Sequence, residues 1–386
     1  MDLSKAFDMV DWKELFQTLS KRRVDPIFIR ILIFMYRGQQ CNVKWSQSFS
    51  FSFSVCNGVR QGAVSSPLFF SVYINDLINQ LRHSGWGCYV GPHFYGCLGY
   101  ADDLLLLSGS RTGLQAMVNI AEKFASSRNL KFSTNPNPDK SKTKCIVFAR
   151  KASDRQGVLP VKLGGVPLPW VGQVKHLGNT LQSDNSMRID MSLKRGKFIG
   201  KVNSLLQEFH FVDPAVLVRI LNIFTTSFYG SGLWDLQSPE CDRLFKAWNV
   251  AIRHALGLPV RAHRYLIESL SGCLHPKTML SSRLVKFGAS LSKSRKVSVK
   301  FLSNLSQEDN RTVIGKNLKN IISSIPSEGL STSNVKKYIK YFPVPDNESW
   351  RIAFIEELIE VRSGLTTIVN FDDLEIQKMI DILTTT

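Results

Sequence analysis

Apolar residues recur along this chain at two spacings, and the change between them divides it. Trp12, Leu15, Phe16 and Leu19 fall at i, i+3, i+4 and i+7, which predicts an amphipathic helix. Residues 26–36 (PIFIRILIFMY) are apolar almost all round, so a second and buried helix is expected there. Over 41–56 the pattern turns to short alternating runs, VKW and FSFSFSV, which predict a hairpin. Ser66 then offers an N-cap with Pro67 at the first helical position, opening a long apolar helix to about Leu81. A short strand near 94–100, a tight turn and the apolar run Leu104–Leu107 come next. A helix follows with Leu114, Met117, Val118 and Ala121 on one face, and Cys145–Phe148 is expected as a strand after the loop NPNPDKSK. Strands and helices mix without a regular βαβ repeat, which predicts an α+β domain over about 1–184.

From about residue 188 the strand signals stop. Asp213–Pro214 and Ser238–Pro239 each look like an N-cap followed by proline. The helices they open carry Leu217, Ile220, Leu221 and Phe224, then Leu244, Phe245, Trp248 and Ile252. A helical domain is expected over 185–270. Residues 293–345, rich in Ser, Asn and Lys, are expected to form a looser connection, and Trp350–Val361 a closing helix that ends at Gly364. Residues 271–386 as a whole read as a C-terminal helical region with no recognisable site.

Composition narrows the partners. The 386 residues are 44% apolar, as in an ordinary folded protein, but 49 Lys and Arg against 31 Asp and Glu leave a net charge of +18. A surplus of that size favours a polyanion, since each phosphate contact releases counterions; a basic surface with no specific partner is the plainer reading. The seven cysteines are scattered, with no C-x-x-C, which argues against a disulfide scaffold or zinc knuckle and for a reducing compartment. No run reaches the roughly 18 to 20 apolar residues of a membrane span, and the first residues lack a hydrophobic signal core. An intracellular location, nucleus and cytoplasm, is expected, without a membrane partner.

Three segments carry chemistry: DLSKAFDMVD at 2–11, NGVRQGAVSSPLFFSVYINDL at 57–77 and YADDLLLL at 100–107. Adjacent carboxylates such as Asp102 and Asp103 repel unless a cation lies between them. Most such pairs sit in a solvated loop, but this one is flanked by GCLGYA and LLLL. A hairpin with buried arms and two carboxylates at its turn suits a Mg2+ site, because Mg2+ takes oxygen ligands and retains waters and substrate phosphates. Two such ions, about 4 Å apart, activate a hydroxyl and stabilise a leaving pyrophosphate. Asp2, on a separate segment, supplies the further carboxylate this needs.

In that order, the three segments resemble motifs A, B and C of the reverse-transcriptase palm, close to the pattern of LINE-type (non-LTR) retrotransposons. The resemblance implies a right-hand polymerase: an antiparallel palm sheet packed on helices over 1–184, a helical thumb over 185–270, and RNA-directed DNA synthesis. It implies RNA template, DNA primer and deoxynucleoside triphosphates as partners, and two Mg2+ ions, replaceable by Mn2+, as cofactors. Carried over residue by residue, Asp2 and Asp102 match the principal metal ligands, Asp103 a weaker one, and Leu3 the residue whose carbonyl completes the site. Phe7 matches the aromatic gate against ribose 2′-hydroxyls. Gln61 and Gly62 match the pair beside the incoming nucleotide, and Arg60 would meet template or primer phosphate. Asp8 and Asp76 are expected as caps or ion-pair partners.

The stretch 130–148 resembles motif D, where a lysine protonates the pyrophosphate; Lys142 is the first candidate and Lys144 the second. HLGNTLQSD at 176–184 resembles motif E, the primer-grip hairpin, with Leu177 and Gly178 at its centre. Arg188, Lys194, Arg195, Lys197 and Lys201 would then line a thumb helix tracking the duplex, or form an ordinary solvated face. The resemblance covers about residues 1–270. Motif B here reads S-S-P where the LINE pattern has L-S-P. The chain starts one residue before Asp2, so fingers and half of a palm strand are expected outside it: a fragment that binds nucleic acid but polymerises poorly. A catalytically inactive retrotransposon relic that binds nucleic acid is the alternative.

Overall fold

The computed structural model describes residues 1–323 apart from 136, 138, 139, 150, 260–266 and 268–270; the expected helix Trp350–Val361 lies outside them. The chain is mixed α and β, mostly helical with small antiparallel hairpins. It divides into two compact units, Met1–Val174 and Lys175–Thr386.

In the first unit, helix α1 (Trp12–Lys21) starts where the Asp11 carboxylate accepts from the Glu14 amide, and it buries Leu15 and Leu19 as the spacing predicts. Helix α2 (Pro26–Arg37) starts on Asp25, whose side chain accepts from the Ile27 amide. It corrects one expectation. Only Leu32 and Tyr36 are buried, while Ile27, Phe28, Ile31, Phe34 and Met35 stand exposed, Phe34 at 84%. An all-round apolar helix needs neighbours on every side to be buried, and among the described residues α2 has them on one side only. Helix α3 (Ser66–His83) corrects another. Ser65 rather than Ser66 occupies the cap position, in helical conformation and without a side-chain cap bond, so Pro67 falls at the second helical position. Proline is tolerated there because the early amides of a helix have no internal acceptor.

Between these helices the predicted hairpin over 41–56 forms in two pieces, Gln40–Cys41 with Phe53–Ser54 and Lys44–Trp45 with Ser48–Phe49. After α3, Cys97–Tyr100 pairs with Asp103–Leu106 through a two-residue turn, and helix α4 (Arg111–Ser127) begins on the Ser110 side chain. Phe69, Phe70, Tyr73, Leu77 and Leu81 of α3 pack with Leu104, Met117, Ala121 and Phe124 in one core that also holds Leu3. Each large apolar side chain buried there stabilises the unit by about 2 kcal/mol. The expected strand Cys145–Phe148 shrinks to a single parallel bridge, Cys145 to Trp170. Cys145 donates to the Pro169 carbonyl and accepts from the Val171 amide, and the chain then enters the strand Gln173–His176, which pairs with Asn179–Gln182 instead of with residues 146–148.

The second unit begins within the hairpin Gln173–His176 and Asn179–Gln182. Helices α5 (Arg188–Glu208), α6 (Pro214–Thr225) and α7 (Pro239–Ala255) follow; Asp213 and Ser238 cap the latter two as expected. Their core centres on Trp234, Leu244, Phe245, Trp248 and Ile252, joined by Leu280, Leu284 and Leu318. The described part of the expected loose segment 293–345 is instead helical over Val297–Glu308 and Val313–Ser323. Leu318 is buried and Ile314 and Ile321 pack partly buried on the same core, so a stripe of apolar residues outweighs the polar composition around it.

Candidate active site

The Asp102–Asp103 pair is held by its hairpin. Cys97 faces Leu106, Leu98 faces Leu105, Gly99 faces Leu104 and Tyr100 faces Asp103, leaving Ala101 and Asp102 as the turn. Ala101 has φ of 51°, a left-handed conformation that costs an alanine roughly 1 kcal/mol. Leu104 is buried and anchors one arm, so the strain is borne by packing while the turn stays partly open to solvent.

The N-terminal segment lies between this hairpin and residues 131–133. Asp2 bridges Asp103 and Leu3 bridges Phe132, both antiparallel. The Leu104 amide donates to the Met1 carbonyl at 3.0 Å, the Ser133 amide to the Asp2 carbonyl at 2.8 Å, and the Ser4 amide to the Lys131 carbonyl at 2.8 Å. Two segments about 100 residues apart in sequence thus become neighbouring strands, at the roughly 4.8 Å spacing from which side chains can share a ligand. Burial pushes the Met1 ammonium below its ordinary value, with the Asp103 and Asp2 carboxylates opposing; it donates to the Leu104 carbonyl.

Asp2 Oδ2 is shut off from solvent and takes no hydrogen bond. The Lys142 ammonium lies 3.7 Å from it, an ion-pair distance too long for a hydrogen bond, on a side chain that is 71% exposed. Thr143 reaches the same place, its hydroxyl accepting from the Asp2 amide at 3.3 Å. A shielded carboxylate oxygen without a donor is what a divalent cation satisfies, so this donor set fits Mg2+. Among the described residues, no three Asp, Glu, His or Cys side chains are gathered into a ready-made metal cluster.

Phe7 and Gln61 stand on two loops pressed together. The Val59 amide donates to the Phe7 carbonyl and the Gly58 amide to the Val10 carbonyl, each at 2.8 Å. Phe7 stacks on Phe70 with ring centroids 4.9 Å apart, and Gln61 Nε2 donates to Asp8 Oδ1 at 3.2 Å. Gly62 has φ of +85° with open space around it; Arg60 is exposed. The contact that sequence reading passed over is Gly58. Its φ is +91°, and a β-carbon there would meet the Asp8 carbonyl oxygen at 2.9 Å. The signal was present as the first glycine of GVRQG. Its carbonyl also accepts from Trp12 Nε1 at 2.7 Å, tying α1 to the same junction. Asp76 pairs with Arg22 and Arg128, as expected of a structural carboxylate.

In the second unit, Leu177 (φ 45°) and Gly178 (φ 78°) form the two-residue turn of the 173–182 hairpin, both left-handed as a tight hairpin turn requires. Tyr229 lies against Gly178. On α5, Lys197 and Lys201 are exposed and Arg195 partly so. Lys194 is turned inward: it pairs with Asp190 at 2.6 Å, donates to Asn179 Oδ1 at 2.7 Å and lies over the Trp234 ring. Among the described residues, no helix is long and apolar enough to cross a membrane.

Residues 1–181 match the family model described as reverse transcriptase (RNA-dependent DNA polymerase). The chain is 29% identical over 122 residues to a Pol polyprotein of the type-1 retrotransposable element R2 of Nasonia vitripennis, covering 32% of this chain and 12% of that protein. It is 28% identical over 156 residues to the Pol polyprotein of element R2DM of Drosophila melanogaster, covering 40% and 14%. A type-1 R2 Pol polyprotein of Popillia japonica is 24% identical over 272 residues, covering 66% of this chain, so that alignment extends past residue 181, and 42% of that protein. The chain therefore spans well under two thirds of these relatives. Residues 1–181, just under half of the chain, thus match the reverse transcriptase family, and the relatives aligned with the chain are Pol polyproteins of R2 retrotransposable elements.

Proposed function

We propose that this chain carries the nucleotidyl-transfer site of an RNA-directed DNA polymerase, with a palm over 1–184 and a thumb over 185–270. The observation that carries the reading is Asp2, bridged to Asp103 through the backbone while its own Oδ2 is shielded and without a hydrogen bond. Asp2, Asp102, Asp103 and the Leu3 carbonyl would hold Mg2+, which when bound makes the primer 3′-hydroxyl a better nucleophile and neutralises the pyrophosphate.

The chain's own residues do the rest. Phe7, backed by Phe70, fills the space a ribose 2′-hydroxyl would need and so selects deoxynucleotides. Gln61 hydrogen-bonds the incoming sugar from its position beside Asp8, and Gly62 lets that loop approach closely. Lys142 is exposed, within reach of the site and long enough to deliver a proton to the departing pyrophosphate, with Lys144 second to it. Arg60, the Leu177–Gly178 turn, Arg195, Lys197 and Lys201 contact RNA template and DNA primer.

The test is primer extension on an RNA template with Mg2+ and deoxynucleotides, comparing the chain with D102A/D103A. Extension that the double variant lacks supports the assignment, and extension surviving in it overturns the assignment. Salt-sensitive binding with no extension in either would favour the relic.

A further inference from the structure

We propose that the hairpin between α2 and α3 is a stacking platform for single-stranded nucleic acid, separate from the polymerase site. Phe49, Phe51 and Phe53 alternate with serines, and Phe51 is 97% exposed and Trp45 82%. Four open aromatic rings on one small hairpin are costly in water and do nothing for its stability. The serines explain why the rings are outside. Ser50 Oγ accepts from the Val43 amide at 2.8 Å, Ser52 Oγ donates to Asn42 Oδ1 at 3.2 Å, and Asn42 Nδ2 donates to the Ser50 carbonyl at 2.9 Å. The polar positions of the alternation are thus spent holding the hairpin together, and the aromatic positions are left to face outward.

Charge identifies the occupant. From Pro26 to Arg60 there are basic residues at Arg30, Arg37, Lys44 and Arg60 and no acidic residue at all. Lys44 Nζ sits 5.6 Å from the centre of the Phe49 ring, so a cation already stands at the edge of the platform. A protein or second copy with an apolar face gains nothing from that charge, whereas a polyanion with flat bases is matched by both features. In extended chain, residues two apart stand about 6.7 Å apart, roughly twice the 3.4 Å spacing of stacked bases. A base therefore has room between successive phenylalanines. Duplex offers no free base faces and should not use this surface. The inference does not depend on the polymerase assignment.

The test is fluorescence anisotropy of a labelled 12-nucleotide oligouridylate and of a labelled duplex with the whole chain. F49A/F51A/F53A should weaken oligouridylate binding at least tenfold, leave duplex binding unchanged, and keep the slope of affinity against salt. Because Phe51 is almost fully exposed, F51A alone cannot act by unfolding; it should weaken binding severalfold and F51W should restore it. Equal oligouridylate affinity in wild type and F51A overturns the proposal. So does a concentration-dependent dimer that the triple variant abolishes while oligouridylate binding persists, which would make the platform a contact between copies. D102A/D103A should lose extension and retain oligouridylate binding, so failure of either reading is seen separately.

Discussion

Two glycines beside the proposed nucleotide site differ in what holds them. Gly58 and Gly62 both have φ near +90°, where an L side chain is strained by roughly 1–2 kcal/mol. Only Gly58 is also crowded, by backbone of Asp8 and Phe7 that cannot swing aside. Gly58→Ala should therefore cost about 3 kcal/mol, strain and overpacking together, and loosen Phe7. Gly62→Ala should cost about 1 kcal/mol. Urea unfolding checks both, and equal costs would show that the crowding at Gly58 is absent in solution. The same residue scale shows where sequence reading stops. Asp2, Phe7 and Gln61 could be named as candidates from motif spacing because their chemistry is in their side chains. The significance of Gly58 lies in the backbone that approaches it.

Helix α5 makes the equivalent point about an element. Its run of basic residues reads as one surface along the sequence, yet 3.6 residues per turn point them in different directions. Lys194 faces Asp190, Asn179 and Trp234, while Lys197 and Lys201 face solvent. Lys194→Ala should leave Asp190 with only the Thr180 amide as donor inside the unit and cost about 3 kcal/mol. Lys197→Ala should leave the thermal midpoint unchanged and lower the slope of nucleic-acid affinity against salt by about one. Calorimetry and a salt titration separate the two variants. A Lys194→Ala protein as stable as the parent would mean that its contacts add nothing net to folding. Helix α2 is the complementary case: its apolar run found it, but burial was misjudged because an apolar surface does not carry its own neighbours.

Across the whole molecule, the cysteines report how the units are closed. Cys97, Cys145 and Cys241 are buried, and burial pushes each thiol up to about 11 from an ordinary 9.0. Cys41 and Cys56 are exposed. In the native protein at pH 8, a thiol reagent should modify Cys41 and Cys56 first and spare the buried Cys97, Cys145, Cys241 and Cys273 until unfolding. The sign of the pH effect follows from proton counts. Between pH 9 and 11 the native state keeps these protons while the unfolded state releases them, so the unfolded state is favoured as pH rises. Stability from this source is complete below pH 9 and declines up to pH 11. Chemical denaturation at pH 8 and pH 10.5 measures it, and a Cys97→Ala, Cys145→Ala, Cys241→Ala variant should show a smaller decline. An identical decline would assign the effect to other groups.

The amino-acid sequence determined the helices whose apolar faces repeat every three to four residues, the caps at Asp213 and Ser238, the tight turns at Ala101–Asp102 and Leu177–Gly178, and the family that residues 1–181 match. All of these depend on residues close together in the chain or on motifs in fixed order. Tertiary structure alone decided which of those features meet. It set Asp2 beside Asp103 through a bridge that spans about a hundred residues, left Asp2 Oδ2 facing Lys142 without a hydrogen bond, and turned Lys194 inward. It also reduced Cys145–Phe148 to one bridge, because the segment beyond Val171 pairs with Asn179–Gln182 instead. Propensity and spacing are local properties, whereas burial, pairing and the position of a charge depend on chain that arrives from elsewhere.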